Sequence, residues 1–404
     1  MSSTTAGGHR KPGLVQAFAL LLPITMAVMG AVVLQPDQGL LRAHFADVPG
    51  NEYWVPFLLT VPAICATAFT LVSGYLADIF GRRPVLIVAM LIYIAVGVGP
   101  FFLQGLIPIA FCRVGVGLCE GVVLTVTTAM LGDYFKGRMR DRLMGWQAAI
   151  ASGAATLLIP LSGFLGSYIG WNGPFLIYFI SVVWLAGIIL FTWEPRPDEL
   201  AGEVRGSPSW AGFPWARVIE ICVVTLLGSY FFYTVQYEIP NFLPKFGITD
   251  PGEIGVKMGL ASLGMFVGAI GFQIVVKQAL GILLLGELTV IAVSFIAMAF
   301  ATSSGMLIGA AFLNQIGCGM ILPTLLTASM RFLPFEHRGR GTGIWQGTFA
   351  SGQFVVGMSF PALKDALGGN YSHALLSVGI VAAIAAVIAL VMAIRTHGRI
   401  APAT

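Results

Sequence analysis

The sequence predicts an all-α membrane protein with twelve transmembrane helices arranged in two pseudo-symmetric six-helix bundles. Three observations lead to this fold class. Of the 404 residues, 57% are hydrophobic and only 10% are charged, whereas an ordinary soluble domain carries about 25% charged residues. Apolar runs of the roughly 20 residues that cross a bilayer recur about twelve times. The second half of the chain also repeats a short pattern of the first half.

The apolar runs follow one another with short interruptions. The first, at 14–36, is too long for the core of a signal peptide and is followed by further spans, so we expect a retained helix. Hydropathy predicts the next five helices at 54–76, 84–103, 106–131, 142–167 and 173–193. Six more are predicted at 217–240, 256–276, 279–300, 305–330, 341–364 and 372–394.

The longest polar connection runs from Glu194 to Ala216 and is rich in proline and charge. It divides the chain into a first bundle at 1–193, a cytoplasmic linker at 194–216 and a second bundle at 217–404. A repeat supports this division, because Trp-Gln at 146–147 and Ala-Ser-Gly at 151–153 recur 199 residues later, at 345–346 and 350–352. Parallel repeats around a central pathway are one plan of secondary transporters. A duplication with a purely structural outcome is the alternative.

The basic residues predict the topology. Most of the 22 lysines and arginines lie on the side of the predicted membrane that also carries both termini. The positive-inside rule therefore predicts a multi-pass protein of the cytoplasmic (inner) membrane with both termini in the cytoplasm. Because these residues are spread over several loops, they indicate the bilayer as partner and no nucleic acid.

Other functional classes lack their characteristic residues. All five cysteines fall within apolar runs without metal-ligand spacing, so we expect free thiols, no metal site and no cofactor. The chain has no phosphate-binding loop, and no nucleophile, base and acid converge in the sequence. We therefore expect no catalytic residues and no enzyme, and we expect transport driven by a gradient. A non-transporting membrane sensor is a remote alternative.

A charged cluster lies between the second and third predicted helices, with Gly74, Asp78, Gly81, Arg82 and Arg83 as its defining residues. Such a cluster cannot sit in hydrocarbon, so it predicts a tight turn at the membrane surface. The spacing closely resembles the hallmark motif of the major facilitator superfamily, except that Ile79 stands where that family usually has arginine or lysine.

The resemblance covers essentially the whole chain and implies the twelve-helix major facilitator fold, alternating access and function as a monomer. It also implies that the Gly74–Arg83 cluster latches the cytoplasmic side when the cavity faces outward. We expect its glycines to allow a close helix approach and a tight turn.

Two further motifs match this family only in part. Arg113 and Gly117 resemble its Arg-x-x-Gln-Gly element, with Val116 in place of the glutamine. The fifth predicted helix has Pro160 and Gly163 instead of the Gly-Pro pair of proton-linked drug antiporters. This departure favours uptake by proton-coupled symport, and a proton-coupled drug or metabolite efflux antiporter is the alternative.

Three ionisable residues are candidates for proton coupling. Arg113 and Glu120 are two helical turns apart on one face, and an ionisable group at mid-membrane depth costs about 2.5–3.5 kcal/mol on insertion scales. We expect Glu120 to exchange a proton beside Arg113, with a static buried pair as the alternative. We also expect Asp37, at the outer end of the first span, to contact Arg113. An ordinary loop aspartate fits Asp37 equally well.

Polar and aromatic residues of several spans are the candidates for binding a small organic solute. Tyrosine suits such a site because it offers both an apolar ring and a hydroxyl. Interfacial belts and helix–helix hydrogen bonds explain the same residue types. The pattern is compatible with sugars, aromatic acids, siderophores or drugs. The candidates are Gln35, Tyr233, Gln236, Tyr237, Asn314, Gln315, Trp345, Gln346 and Gln353.

Overall fold

The computed structural model describes residues 12–195, 212–332 and 338–397. The first half contains the helices α1 (Leu14–Leu21), α2 (Ile24–Val32), α3 (Gln38–His44), α4 (Asn51–Phe80), α5 (Arg82–Val98), α6 (Leu106–Tyr134), α7 (Gly137–Ile169) and α8 (Ile180–Phe191). The second half contains α9 (Trp215–Phe242), α10 (Pro251–Val275), α11 (Leu280–Ala299), α12 (Ser304–Phe332), α13 (Arg338–Ala366) and α14 (Tyr371–His397). Short 3₁₀ segments at Gly99–Phe102, Gly173–Phe179 and Leu243–Phe246 extend α5, α8 and α9.

The helices confirm the predicted twelve-helix fold, with one span interrupted. The first span consists of α1 and α2, which separate at Pro23, where the ring removes a backbone donor. Among the described residues, eleven spans are long and apolar enough to cross a membrane. The twelfth is α13, which is 29 residues long but rich in glycine and polar residues. It packs between α9 and α4, so protein rather than lipid covers much of its surface.

Glycines allow several helix pairs to approach closely, and the residues they contact show the relative direction of the helices. Gly117 and Gly121 of α6 lie against the backbone of Pro62 and Ala66 in α4, so α4 and α6 run in the same direction. In the second half, Gly264 of α10 lies against the carbonyl of Phe312 in α12. A side chain at any of these glycines would push the two helices apart, because interhelical distances depend on the side chains at the contact.

Two contacts between the halves lie on a pseudo-twofold axis. Gln38 of α3 donates to the carbonyl of Tyr237 over 2.8 Å, and Arg42 donates to the Asn241 side chain over 2.8 Å. The residues of each pair are 199 positions apart, the same offset as the sequence repeat. Equivalent positions of two repeats meet only close to the axis that relates them. The short helix α3 and the end of α9 therefore lie at this axis.

The two halves are packed together at the end of the molecule opposite to the start of α1 and the end of α14. We call it the distal end. Besides the α3–α9 contacts, Gly163 of α7 lies against the Pro251 backbone, and Gly255 of α10 lies against the Ile159 carbonyl. We call the α3–α9 and α7–α10 contacts together the distal seal. At an intermediate depth, Gly357 of α13 lies against Thr60 of α4. The opposite end, at which α1 begins and α14 ends, is the terminal end.

Candidate transport site

A buried arginine ties three elements of the first half together. Arg113 of α6 is 1% exposed. Its Nε donates to the Leu58 carbonyl of α4 over 2.7 Å, and its Nη1 donates to the Tyr178 hydroxyl over 2.6 Å. Its Nη2 donates to the Gly30 carbonyl of α2 over 2.5 Å. The planar guanidinium suits this role because its fork of donors can serve three partners in fixed directions.

Glu120 approaches the same glycine from two turns further along α6. Its side chain is 4% exposed, and a Cβ at Gly30 would collide with its carboxyl group. Only a glycine at position 30 therefore leaves room for the carboxyl. The Oε1 atom has no hydrogen-bond partner among the described residues. The ion pairs within 4.0 Å in the described chain do not include Arg113 with Glu120, so the two groups share Gly30 without direct contact.

Asp37 does not contact Arg113, and this expectation was wrong. Its side chain is completely buried, and its Oδ2 lies 2.9 Å from the hydroxyl of Ser162 in α7. The chain turns after α2, which brings Asp37 onto α7 at the distal seal rather than onto α6. Arg113 instead uses all three of its hydrogen-bonding nitrogens on other partners. Asp37 does follow the first span, as the sequence predicts, but the helix beside it is α7 rather than α6.

Four of the predicted solute-binding residues meet between the two halves. Gln353 donates to the Tyr233 hydroxyl over 2.9 Å, and the Tyr237 hydroxyl lies 2.9 Å from Gln353 Oε1. The same Tyr237 hydroxyl lies 3.2 Å from the Ala31 carbonyl of α2, to which Gln35 donates over 3.1 Å. We call Gln35, Tyr233, Tyr237 and Gln353 the amide–tyrosine cluster. It connects α2 of the first half with α9 and α13 of the second.

Three further buried hydrogen-bonding atoms on α9, α12 and α13 have no partner in the described chain. Gln236 donates to Gln315 over 3.1 Å, which leaves Gln236 Oε1 and Gln315 Nε2 buried without a partner in the described chain. The indole nitrogen of buried Trp345 also has no hydrogen-bond partner among the described residues. Its ring stacks on Phe349 at 6.1 Å, and Phe349 lies 5.4 Å from the Tyr233 ring. Buried polar atoms are normally paired, so these unpaired donors and acceptors are candidates for contact with a ligand.

Two predicted residues lie elsewhere. Asn314 donates to Ser294 of α11 over 3.0 Å and accepts from the Cys318 thiol, so it forms a helix–helix contact rather than part of the cluster. Gln346 is exposed, two turns from Gln353 on α13. The sequence reasoning missed Tyr178. A buried arginine signals that acceptors must be near, but no local pattern points to a tyrosine 65 residues away.

The charged motif forms a turn that is held within the first half. Gly81 joins α4 to α5 with φ of +90°, a conformation that favours glycine. Glu194 accepts from the backbone amides of Arg82 and Arg83, each over 2.7 Å, and thereby caps the N-terminus of α5. Arg82 pairs with Asp133 of α6, and Arg83 donates to the Ile189 carbonyl over 2.9 Å.

The expected tight turn is thus present at Gly81, with Asp78 and Ile79 exposed in the last turn of α4. The expected close helix approach at Gly74 is wrong for this conformation. A Cβ there would meet no atom within 4 Å. At the terminal end, the neighbouring helix does not reach this glycine.

The family follows from a comparison of the whole chain with known families. Residues 17–286 match the model of the Major Facilitator Superfamily. The chain belongs to the major facilitator superfamily. The match runs from within α1 through the rest of the first half, α9, α10 and the beginning of α11, and it includes the motif at Gly81 and the buried pair Arg113 and Glu120.

Relatives of this major facilitator protein include transporters of different kinds. It is 25% identical over 219 residues to the 3-(3-hydroxy-phenyl)propionate transporter of Escherichia coli (strain K12), a match that covers 50% of this chain and 51% of that protein. It is 24% identical over 368 residues to the class C tetracycline resistance protein of Escherichia coli, which covers 86% of this chain and 88% of the relative.

Solved structures share the fold. A D-xylose-proton symporter superimposes with a TM-score of 0.77 at 16% identity, over 94% of this chain and 96% of the other. A bacterial homologue of the human lysosomal transporter Spinster, in an inward-facing and occupied conformation, superimposes with a TM-score of 0.74 at 16% identity, over 96% and 98%. Membership of the superfamily, together with the transporter relatives, makes the chain a multi-pass membrane transporter of solutes rather than an enzyme.

Proposed function

We propose that this chain is a proton-coupled secondary transporter that takes up a small organic solute by symport through alternating access. The observation that carries the proposal is the pair of buried ionisable residues, Arg113 and Glu120, which meet at Gly30 on α2. The next residue of α2 is Ala31, whose carbonyl lies at the amide–tyrosine cluster. A proton site and a solute site are thus linked through two consecutive residues of one helix.

The arrangement of the membrane sides is part of the proposal. The distribution of lysine and arginine supports a cytoplasmic terminal end and an inner-membrane location, so the distal seal would face the outside. We infer that residues 1–193 and 217–404 are the two moving bodies of a monomer, joined by 194–216. The Gly74–Arg83 cluster then latches the cytoplasmic side when the distal seal opens, because its arginines already lie at that end.

The residues around the amide–tyrosine cluster favour a flat or aromatic solute with a polar group. The rings of Tyr233, Trp345 and Phe349 offer stacking surfaces. Gln236 Oε1 and Gln315 Nε2, which have no partner within the described chain, offer one acceptor and one donor. This pair suits a hydroxyl or carboxyl group that both donates and accepts. The similarity to a transporter of 3-(3-hydroxyphenyl)propionate supports the same class.

Glu120 is the proposed coupling residue, because burial costs its ionised carboxylate far more free energy than its protonated form. When protonated, it is neutral and tolerates burial beside Gly30. When ionised, it needs the positive charge of Arg113, which is otherwise engaged with carbonyls and a hydroxyl. Movement of α2 against α6 withdraws Gly30 from both side chains and releases one hydrogen bond of Arg113, so proton release and helix movement are linked.

The test is uptake into proteoliposomes with radiolabelled 3-(3-hydroxyphenyl)propionate as the probe. With an inward proton gradient of one pH unit, a one-proton symporter accumulates the probe up to about tenfold. The variant Glu120→Gln should lose this accumulation and keep solute exchange without a gradient. The matched control is Glu220→Gln, because Glu220 is an exposed acid of α9 that pairs with nearby Arg217. Unchanged accumulation by Glu120→Gln would exclude Glu120 as the coupling residue.

Efflux by proton-coupled antiport is the second candidate, supported by the match to a tetracycline resistance protein over 86% of this chain. The same assay separates the two directions. Antiport expels a preloaded solute from the liposomes when protons flow in, whereas symport concentrates it. Thermal stabilisation measured with a panel of aromatic acids, sugars and drugs identifies which class binds, because a ligand specific to the folded state raises the unfolding temperature.

A further inference from the structure

A buried aspartate lies in the distal seal without a charged partner. Asp37 follows the end of the first span and is completely buried. One of its oxygens, Oδ2, lies 2.9 Å from the Ser162 hydroxyl, and the other, Oδ1, has no partner among the described residues. Gly166 of α7 makes room for it, since a Cβ at this position would collide with Oδ1 and reach the Pro251 side chain at 3.4 Å. Asp37 therefore lies where α7 of one half meets α10 of the other.

The single hydrogen of the Ser162 hydroxyl indicates that the Asp37 carboxyl group is neutral. The Ser162 hydroxyl lies within hydrogen-bond distance of both the Val33 carbonyl and Asp37 Oδ2, but it carries a single hydrogen. The Val33 carbonyl can only accept. If Ser162 donates to Val33, the contact with Asp37 requires a hydrogen on the carboxyl group. An ionised Asp37 would accept the hydrogen bond from the Ser162 hydroxyl. The Val33 carbonyl oxygen would then face a lone pair of the Ser162 oxygen with no hydrogen between them.

The elements packed against Asp37 do not offer it a positive charge. Along residues 157–169, α7 carries no acid, lysine, arginine or histidine, and its Tyr168 is 86% exposed. At the start of α10, Asp250 adds a like charge, while Glu253 and Lys257 pair with each other at 3.4 Å. In α3, Arg42 donates to Asn241. Burial above all, together with Asp250, raises the pKa of Asp37 to about 8, and the Ser162 hydrogen bond opposes this shift only in part.

We propose that Asp37 is a proton-binding site that holds the distal seal closed while its carboxyl group is neutral and releases the seal when it ionises. The proposal rests on the alternating access proposed above and adds a second proton site, separate from Glu120. An opened seal exposes Asp37 to water, where aspartate has its ordinary pKa near 4. Closure therefore takes up a proton from the distal side.

The direction of the pH effect follows from the two states. The pKa is higher in the closed state, so the preference for closure is complete below about pH 4 and is lost as the pH rises through about 8. Within that window, the ratio of closed to open molecules changes by up to about tenfold per pH unit for one proton. The seal should therefore open more often in alkaline conditions.

The experiment measures the α7–α10 distance across the seal directly. Spin labels are attached to cysteines at exposed Tyr168 and Thr249, with the five native free cysteines replaced by serine. Double electron–electron resonance of the full chain in nanodiscs is recorded from pH 5 to 9. Without substitution at Asp37, a longer distance should grow at the alkaline end. Asp37→Asn, which is neutral at every pH, should keep the short distance throughout.

Two further variants make the result specific. Asp250→Asn removes the like charge and should lower the pH midpoint. Glu253→Gln, an acid of the same helix, should leave the midpoint unchanged. If Asp37→Asn opens with pH as the parent does, or the parent distance does not change with pH, the proposal is overturned.

Probe uptake by the same variants separates the two proposals. A seal that responds to pH through Asp37 in a protein that moves no solute would refute the transport proposal and support the role of Asp37. Proton-driven uptake with a pH-independent seal would support the transport proposal and refute the role of Asp37. Neither outcome depends on knowing the natural solute.

Discussion

The three hydrogen bonds of Arg113 allow the loss of unfolding free energy to be predicted for the conservative substitution Arg113→Lys. The guanidinium serves α2, α4 and the 3₁₀ segment before α8 through three separate nitrogens. A lysine places all its donors on a single atom and can keep about one of these partners. Interhelical hydrogen bonds in membranes are worth about 0.6 kcal/mol on average and up to about 1.7. Losing two should therefore lower the free energy of unfolding by about 1–3 kcal/mol.

Reversible unfolding in SDS, followed by tryptophan fluorescence in mixed micelles, measures this change. The control is Arg42→Lys, because Arg42 donates to Asn241 across the distal seal through a contact that a lysine can replace. We expect the control to stay within about 1 kcal/mol of the parent. Equal stability of Arg113→Lys and the parent would show that the three bonds do not hold the first half together, and would refute the reasoning.

Three further substitutions test the site and its surroundings. Gly30→Ala places a methyl group on the carboxyl of Glu120, so we expect a loss of about 1–3 kcal/mol from overpacking together with impaired proton-driven uptake. Glu194→Gln weakens the cap on two backbone amides, and we expect about 0.5–2 kcal/mol less stability, measured by SDS unfolding. Tyr237→Phe removes the hydroxyl that reaches the Ala31 carbonyl across the two halves, and we expect severalfold weaker probe binding by calorimetry with little change in stability.

Each of these predictions has its own control. Gly74→Ala places its methyl group in open space and should not change stability as Gly30→Ala does. Glu220→Gln alters an exposed pair and should leave stability as it is, in contrast to Glu194→Gln. For the hydroxyl, Tyr168→Phe changes an exposed tyrosine and should bind the probe normally. If a control and its test variant behave alike, the corresponding contact does not have the role assigned to it.

Two proton sites at different depths would give the transporter a defined order of events. Asp37 lies in the distal seal and Glu120 deeper, beside Gly30. Both are reached from α2 or the turn that follows it, so a displacement of this helix changes the surroundings of both carboxyl groups. A proton taken up at the seal during closure and a second exchange at Glu120 would then be linked by one moving element rather than by direct contact.

The sequence predicted the features that depend on local properties. Twelve spans follow from apolar length, because the bilayer imposes the same requirement on every helix. The turn at Gly81 follows from charges that hydrocarbon excludes. Arg113 and Glu120 were placed on one face because they belong to one helix and its period is known. The polar helix α13 was also recognised, although its composition is less apolar than that of the other spans.

Only the tertiary structure decided which faces meet. The partners of Arg113 lie 55, 65 and 83 residues away, and Ser162 lies 125 residues from Asp37. The rotation and tilt of each helix determine such contacts, and hydropathy contains no information about either. For this reason Asp37 was assigned to the wrong helix and Asn314 to the wrong environment, while Tyr237 and Gln353 were named without their contact. The bilayer selects which segments are helices, and packing between distant segments selects what each buried polar group touches.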